Sequence, residues 1–288
     1  MKYKKEIEEI MSLTNKAHDI LNMVIAGLDE NESELNLDSF CLEPEKNFQS
    51  FIEGDSNKIA RKVGLSIAEK PALNIYNPFF IYGPSGCGKS HLINAIGLKF
   101  RETNPNKRVL YISAQQFQRQ FTDSVLQNKI NDFIDKYQSV DVLIVDDVQE
   151  WMKSPKTLET FIQVFNHLIR TNKKIIISSD CPPVELKGIK QSVLTRFASG
   201  LTVELEKPDV QLCIDILNYK FRNEKKNIHT EIIEFIANTA NSSVSELEGV
   251  VNSLIAYSTI NNTDIDIPQA KRVIRRCIKL DKYKSKKE

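Results

Sequence analysis

The chain is poor in the features that would make it a membrane, secreted or metal-scaffold protein. No apolar run approaches the roughly 18 residues that a spanning helix needs. Five cysteines (Cys41, Cys87, Cys181, Cys213 and Cys277) are scattered, odd in number and without CxxC spacing. They read as reduced thiols rather than as a disulfide framework or zinc site. The four histidines show no metal-ligand spacing with them. There is no internal repeat or low-complexity segment, and only one tryptophan. Charge of one sign is also lacking: 39 Lys plus Arg stand against 38 Asp plus Glu, a formal net charge of +1. That balance excludes a polycation that coats nucleic acid by charge alone, while leaving room for a local basic patch. The first residues, MKYKKEIEEIM, follow lysines with acids instead of an apolar core, unlike a secretory leader. The expected compartment is the cytoplasm, with no membrane span.

What is present is the composition of a folded protein: 288 residues, 41% apolar and 27% charged. Residues 1–35 hold eight acids against four lysines. Ile10, Ala17, Leu21, Val24 and Leu28 recur at helical spacing. This predicts either a helix packed on the main body or one that binds a partner or pairs with itself. Asp29 to Asp38 reads as an acidic linker.

From residue 79 the chain alternates between short apolar runs and helical stretches. FFIY (79–82), RVLYIS (108–113), VDVLIVDD (140–147), KKIIISSD (173–180) and LTVEL (201–205) predict strands. Helical periodicity runs from the first strand to about Phe100, through 114–127 and 129–138, and through 156–171. Leu158, Phe161, Phe165 and Leu168 share one face of the last of these. Continuous apolar strands between helices predict an α/β fold, a parallel sheet covered on both sides. After Pro208 only helical patterns remain, over 209–226, 230–240, 243–260 and 267–280. The expected organisation has four parts. These are an N-terminal helix and acidic linker over 1–38, a nucleotide-binding α/β domain over 39–207, a small all-helical lid over 208–280 and a basic tail over 281–288.

Gly83-Pro-Ser-Gly-Cys-Gly88-Lys89-Ser90 matches GxxxxGK followed by Ser or Thr without a mismatch. A predicted strand precedes it and a helix follows, the context that the chemistry requires. Glycines let backbone N–H groups turn toward phosphates, and the helix start adds partial positive charge. This predicts a site for ATP and magnesium. Gly83, Ser85, Gly86, Cys87, Gly88, Lys89, Ser90 and His91 lie around the nucleotide, Lys89 reaches the β- and γ-phosphates, and Ser90 holds Mg2+. LIVDD (143–147) ends an apolar strand in two carboxylates at the sheet edge where ligands bind. Asp146 is the second expected magnesium residue, and Asp147 the one that orients or activates water. Ser178, Ser179 and Asp180 end the next strand. They read equally as contacts to the γ-phosphate or its water and as a helix cap.

Taken together, these segments resemble the AAA+ ATPase module, and within it the bacterial replication initiator DnaA family. The resemblance covers about residues 40–280. NPFFIYGPSGCGKSHLINAIG (77–97) looks like that family's phosphate-loop segment, and NFQSFIEGDSNKIA (47–60) resembles the segment before it. The latter implies adenine-side contacts from Ile52, Gly54 and Asn57. VDVLIVDDVQ (140–149), LTRFASGLTVEL (194–205) and SSVSELEGVVNSLIAYS (242–258) are similar to its magnesium strand, arginine-finger block and lid helix. The resemblance implies catalytic roles for Asp147, Asp180 and Arg196, the last acting in trans on a neighbour's nucleotide. The plain alternative for Arg196 is a surface ion pair. Lys153 and Lys156 fall where the family places single-stranded DNA contacts, with ordinary solvated charge as the alternative. The helices between 114 and 138 resemble the initiator-specific insertion that shapes a spiral assembly.

The chain departs from the family pattern at Ser245, where the lid motif carries arginine, and at Ser192, where another arginine is common. No helix-turn-helix pattern for reading duplex boxes is found, so sequence-specific duplex binding is not expected. The resemblance implies a weak or partner-stimulated ATPase acting in replication initiation or its regulation. Its partners would be a full-length DnaA-type initiator or further copies of itself, with single-stranded DNA. This is similar to Hda, a short relative that regulates the initiator, although ELNLDSF (34–40) matches a sliding-clamp motif only faintly. Two alternatives stand beside it. One is a DnaC-type loader of the replicative helicase. The other is a scaffold that binds ATP without hydrolysing it.

Overall fold

In the strands, side chains alternate between two faces, and most side chains here are apolar on both. In the computed structural model, which describes residues 42–70, 75–226 and 228–277, this yields a sheet buried on both sides. Its strands are β1 (Phe79–Tyr82), β2 (Val109–Ser113), β3 (Val142–Asp146), β4 (Lys174–Ser179) and β5 (Leu201–Glu204). All neighbours are parallel and the order is β2-β3-β4-β1-β5. The alternation divides the strands between two cores. Phe79, Ile81, Val142, Ile144 and Ile176 face one; Phe80, Leu143, Val145, Ile175 and Ile177 face the other.

The first face is covered by α1 (Lys58–Glu69) and α2 (Lys89–Thr103). The other is covered by α3 (Ala114–Leu126), α4 (Ile130–Gln138), α5 (Pro155–Arg170) and α6 (Gln191–Phe197). The predicted stripe of α5 (Leu158, Phe161, Phe165 and Leu168) is buried as expected. On this side the aromatics gather around Phe117, whose ring meets those of Phe133, Tyr137, Trp151 and Phe161 at 4.8–5.8 Å. Such edge and tilted contacts suit the ring quadrupole. Trp151 is fully buried, and its indole N–H donates to the Ala114 carbonyl at 2.8 Å. The α3–α4 hairpin is thereby rooted beneath the end of β3.

Beyond β5 the chain is helical among the described residues: α7 (Val210–Asn223), α8 (Thr230–Thr239), α9 (Val244–Asn261) and α10 (Ile267–Cys277). They enclose a core of their own around Leu217, Ile236, Val251, Leu254 and Ala270. Asp209 caps α7 through the Leu212 N–H at 2.7 Å, and Ser243 caps α9 through the Glu246 N–H at 3.1 Å. Such caps satisfy helix-start donors that would otherwise lack a partner. The readings for residues 1–38, Cys41 and the 281–288 tail lie outside the described residues.

Helix α1 is a feature the periodicity does not announce. Its buried residues are Ala60, Gly64, Ile67 and Ala68, mostly small. They let α1 lie close on α2: a Cβ built on Gly64 would come within 2.8 Å of Ile96.

Candidate nucleotide site

The loop that follows the inner strand β1 is shaped by its glycines. Gly86 and Gly88 take φ of +77° and +103°, a region that side chains rarely adopt. Gly88 leads directly into α2, so the helix start with its unpaired N–H groups opens onto the loop. Lys89 is buried, and its ammonium donates to the Gly83 and Pro84 carbonyls at 2.7 and 3.0 Å. Cys87 turns its side chain into the core beneath the loop. Burial pushes that thiol up, with the Lys89 charge opposing.

His91 and Asn94 lie one turn apart on α2 and grip the segment before the loop. The His91 Nε2 lies 3.1 Å from both the Asn47 carbonyl and the Ser50 hydroxyl, and its ring stands edge-on to Phe51. Burial holds its imidazole below the usual value. The His91 side chain is thus engaged with residues 47–51. Asn94 accepts the Glu43 N–H and donates to the Glu43 and Lys46 carbonyls, each at 2.8 Å. Asn57 accepts the Gly54 N–H at 2.9 Å and donates to the Ile52 carbonyl at 2.9 Å, closing a small ring. This ring faces the helical bundle: Ile52 packs on its core, and a Cβ on Gly54 would lie 3.1 Å from Leu212.

The bundle also reaches the phosphate loop. The Val244 and Ser245 N–H groups, the first of α9, donate to the Gly86 carbonyl at 2.9 and 3.3 Å. Ser245 therefore meets the loop through its backbone.

At the carboxyl end of β3, one strand beyond β4, stand the two aspartates. Asp146 is buried. Its Oδ2 accepts the Tyr111 hydroxyl at 2.6 Å, and its Oδ1 accepts the Ser178 hydroxyl. Burial, with the Asp146 charge beside it, pushes the Tyr111 phenol far up, so it remains a donor. Asp147 adopts the left-handed conformation, φ +60°, which aspartate tolerates better than most residues. Its N–H donates to Ser178 Oγ at 2.9 Å, and its carboxylate accepts the Gln149 amide at 3.0 Å. Burial pushes the Asp147 carboxyl up, the Gln149 donor opposes this, and the charge of Asp146 raises it again. Gln149 also accepts the Asp180 N–H at 3.2 Å, bridging the ends of β3 and β4.

Ser178 and Ser179 are both fully buried. Ser178 supports both aspartates, a third role beside the phosphate contact and the helix cap that its position at the strand end left open. Asp180 is exposed beside them, and Lys153, Lys156 and Arg196 are exposed elsewhere. Oxygen donors alone, the Ser90 hydroxyl and the Asp146 carboxylate, suit magnesium, which keeps several waters. Among the described residues no cluster of three or more His, Cys, Asp or Glu could hold a metal.

The profile described as the bacterial DnaA ATPase domain matches residues 42–204. The chain belongs to the bacterial DnaA ATPase family. The DnaA chromosomal replication initiator of Bacteroides fragilis is 48% identical over 240 residues, 83% of this chain and 50% of that protein. The chain thus spans about half the length of the curated DnaA relatives it matches. Domain III of the Thermotoga maritima DnaA superposes with a TM-score of 0.79 at 31% identity, covering 83% of this chain and 99% of that one. A DnaA structure bound to AMPPCP and single-stranded DNA superposes with a TM-score of 0.68 at 26% identity, covering 82% of each chain. The AAA+ architecture expected from the DnaA resemblance, a parallel sheet followed by a helical bundle, is the one observed.

Sequence reasoning missed Tyr111, Gln149 and the contact of α9 with Gly86. Alternation along β2 puts Tyr111 on the face of Ser113, the residue opposite Asp146. That placement becomes visible only once the register is known.

Proposed function

We propose that this chain binds ATP with magnesium and acts in the initiation of DNA replication, or its regulation, by associating with a DnaA-type initiator or with further copies of itself. The carrying observation is the loop between β1 and α2, with Lys89 folded into it and Asp146 at the same sheet edge with only β4 between. Loop N–H groups and Lys89 hold the phosphates. The ring of Ile52, Gly54 and Asn57 packs against the bundle and closes the adenine side. Ser90 and Asp146 hold magnesium, which supplies charge neutralisation at the phosphates. Asp147, half-buried and tied by Gln149, orients water, with Asp180 beside it. Arg196 is exposed near the end of α6, which supports its service to a neighbour's nucleotide. The exposed Lys153 and Lys156 are candidate contacts to single-stranded DNA, a ligand present in the structure of one DnaA relative.

Binding of a fluorescent ATP analogue tests the site. Lys89→Ala is expected to abolish binding while circular dichroism is unchanged, and unaltered affinity would show the phosphates to be elsewhere. ATP turnover in a mixture with the same cell's full-length initiator tests the partner. A rate above the sum of the separate rates, lost with Arg196→Ala, supports a finger given in trans. A rate equal to the sum refutes it. One observation favours a second reading, the scaffold that does not hydrolyse ATP: α9 meets the loop with no cation in its first turn. Turnover that disappears in Asp147→Asn would exclude that reading.

A further inference from the structure

We propose that Tyr111 is a positioning residue for the magnesium carboxylate, clamping Asp146 together with Ser178; the inference rests on the nucleotide reading above. Asp146 ends β3, and its neighbours β2 and β4 each send one hydroxyl to it. Tyr111 reaches Oδ2 at 2.6 Å from one side, and Ser178 reaches Oδ1 from the other. A carboxylate torsion is broad and roughly two-fold, so a free aspartate samples many orientations. One donor on each oxygen removes that freedom. Each oxygen can accept a second bond, so the clamp leaves acceptor capacity for the metal or its waters.

The two donors are not equivalent. Ser178 Oγ also receives the Asp147 N–H, so its loss disturbs both aspartates. The Tyr111 hydroxyl has Asp146 as its acceptor, and the rest of its ring packs with the apolar core on the α2 side of the sheet. Phenylalanine would satisfy that packing equally. A hydroxyl carried into such a place costs free energy unless it is bonded. Its presence is accounted for by the carboxylate it holds.

Removing a partner that orients a metal ligand commonly weakens metal binding by about 10–100-fold. The test uses the full chain and binding alone. Affinity for a fluorescent ATP analogue is measured in EDTA and then across a Mg2+ titration, for wild type and Tyr111→Phe. Mn2+ binding in the presence of the analogue, followed by electron paramagnetic resonance, gives a second readout. The expected result is equal affinity in EDTA, with the Mg2+ midpoint and the Mn2+ dissociation constant raised about tenfold or more. Unchanged metal dependence would overturn the proposal. An equal loss with and without metal would also overturn it, by assigning the phenol to general packing. Wild-type binding that ignores Mg2+ would remove the metal role from Asp146, and the clamp with it. A wild type that binds no nucleotide would instead overturn the underlying nucleotide reading.

Discussion

Gly86→Ala tests whether the helical bundle is latched onto the phosphate loop. A Cβ on Gly86 would stand 2.9 Å from Ser243 Cβ, 3.0 Å from its hydroxyl and 3.1 Å from Ser245 Oγ. Carbon atoms rest about 3.5–4.0 Å apart and alanine is itself strained at the Gly86 φ of +77°, so the loop and the start of α9 must separate by roughly 0.6 Å or more. The Val244 and Ser245 N–H bonds to the Gly86 carbonyl, 2.9 and 3.3 Å long, would stretch to about 3.5 and 3.9 Å, past useful hydrogen-bond length. Ser245 is exposed, so water replaces part of what is lost. Each bond then contributes about 0.5–1 kcal/mol, the lower half of the usual range. The pair contributes about 1–2 kcal/mol, or roughly a 5- to 30-fold rise in the open population of the α9 start. Hydrogen exchange at the Val244 and Ser245 amides reads this directly, and amides deep in α9, such as Leu254, serve as the internal reference. Unchanged protection at Val244 and Ser245 in a folded Gly86→Ala protein would refute the latch.

Three further outcomes follow from the same geometry. Asp147→Asn preserves the left-handed turn, because asparagine also tolerates that conformation. It should leave thermal stability and ATP-analogue affinity nearly unchanged while removing any turnover, and persistent turnover would take the water-orienting role from Asp147. Trp151→Phe removes the indole bond to the Ala114 carbonyl, which keeps its place in the α3 hydrogen-bond ladder, and leaves a void in the aromatic cluster. It should cost about 1–3 kcal/mol in urea unfolding, and a cost below about 0.5 kcal/mol would show that the site relaxes. The imidazole of His91 is held below its ordinary 6.5 by burial. The unfolded chain therefore binds the extra proton first, and stability from this group falls as pH drops through about 6.5. Urea midpoints at pH 7.5 and 5.5 should differ less in His91→Phe than in wild type.

How much of this was legible depends on the range of the interactions. The five strands could be read because their apolar runs are continuous, and the phosphate loop because its chemistry sits in eight consecutive residues. Helix α5 announced itself through four large side chains on one face. Helix α1 did not, since Ala60, Gly64 and Ala68 bury little area, and their role is to let another helix come close. Ser178 was noticed, but its partner was not. Its hydroxyl belongs to Asp146, 32 residues earlier in the chain. Tyr111 and Asp146 are 35 residues apart, and only the parallel register of β2 and β3 brings them together. The latch is longer in range still, joining residue 86 to residues 244 and 245 across the bundle boundary. Properties of one segment show in the sequence, whereas properties shared between segments wait for the fold.

The strap at residues 48–57 has a consequence for how the protein melts. Phe48 and Phe51 are set into the core beneath α2, while Ile52, the very next residue, is set into the bundle. Consecutive Cα atoms are about 3.8 Å apart, so there is no slack between the two anchors. Disordering the bundle would pull Ile52 free and strain Phe51 and the ring closed by Asn57. Loosening the sheet side would tug in the other direction. The bundle and the sheet are therefore expected to loosen together rather than as two foldons that open independently, which hydrogen exchange along α2 and α9 would read as a shared opening free energy.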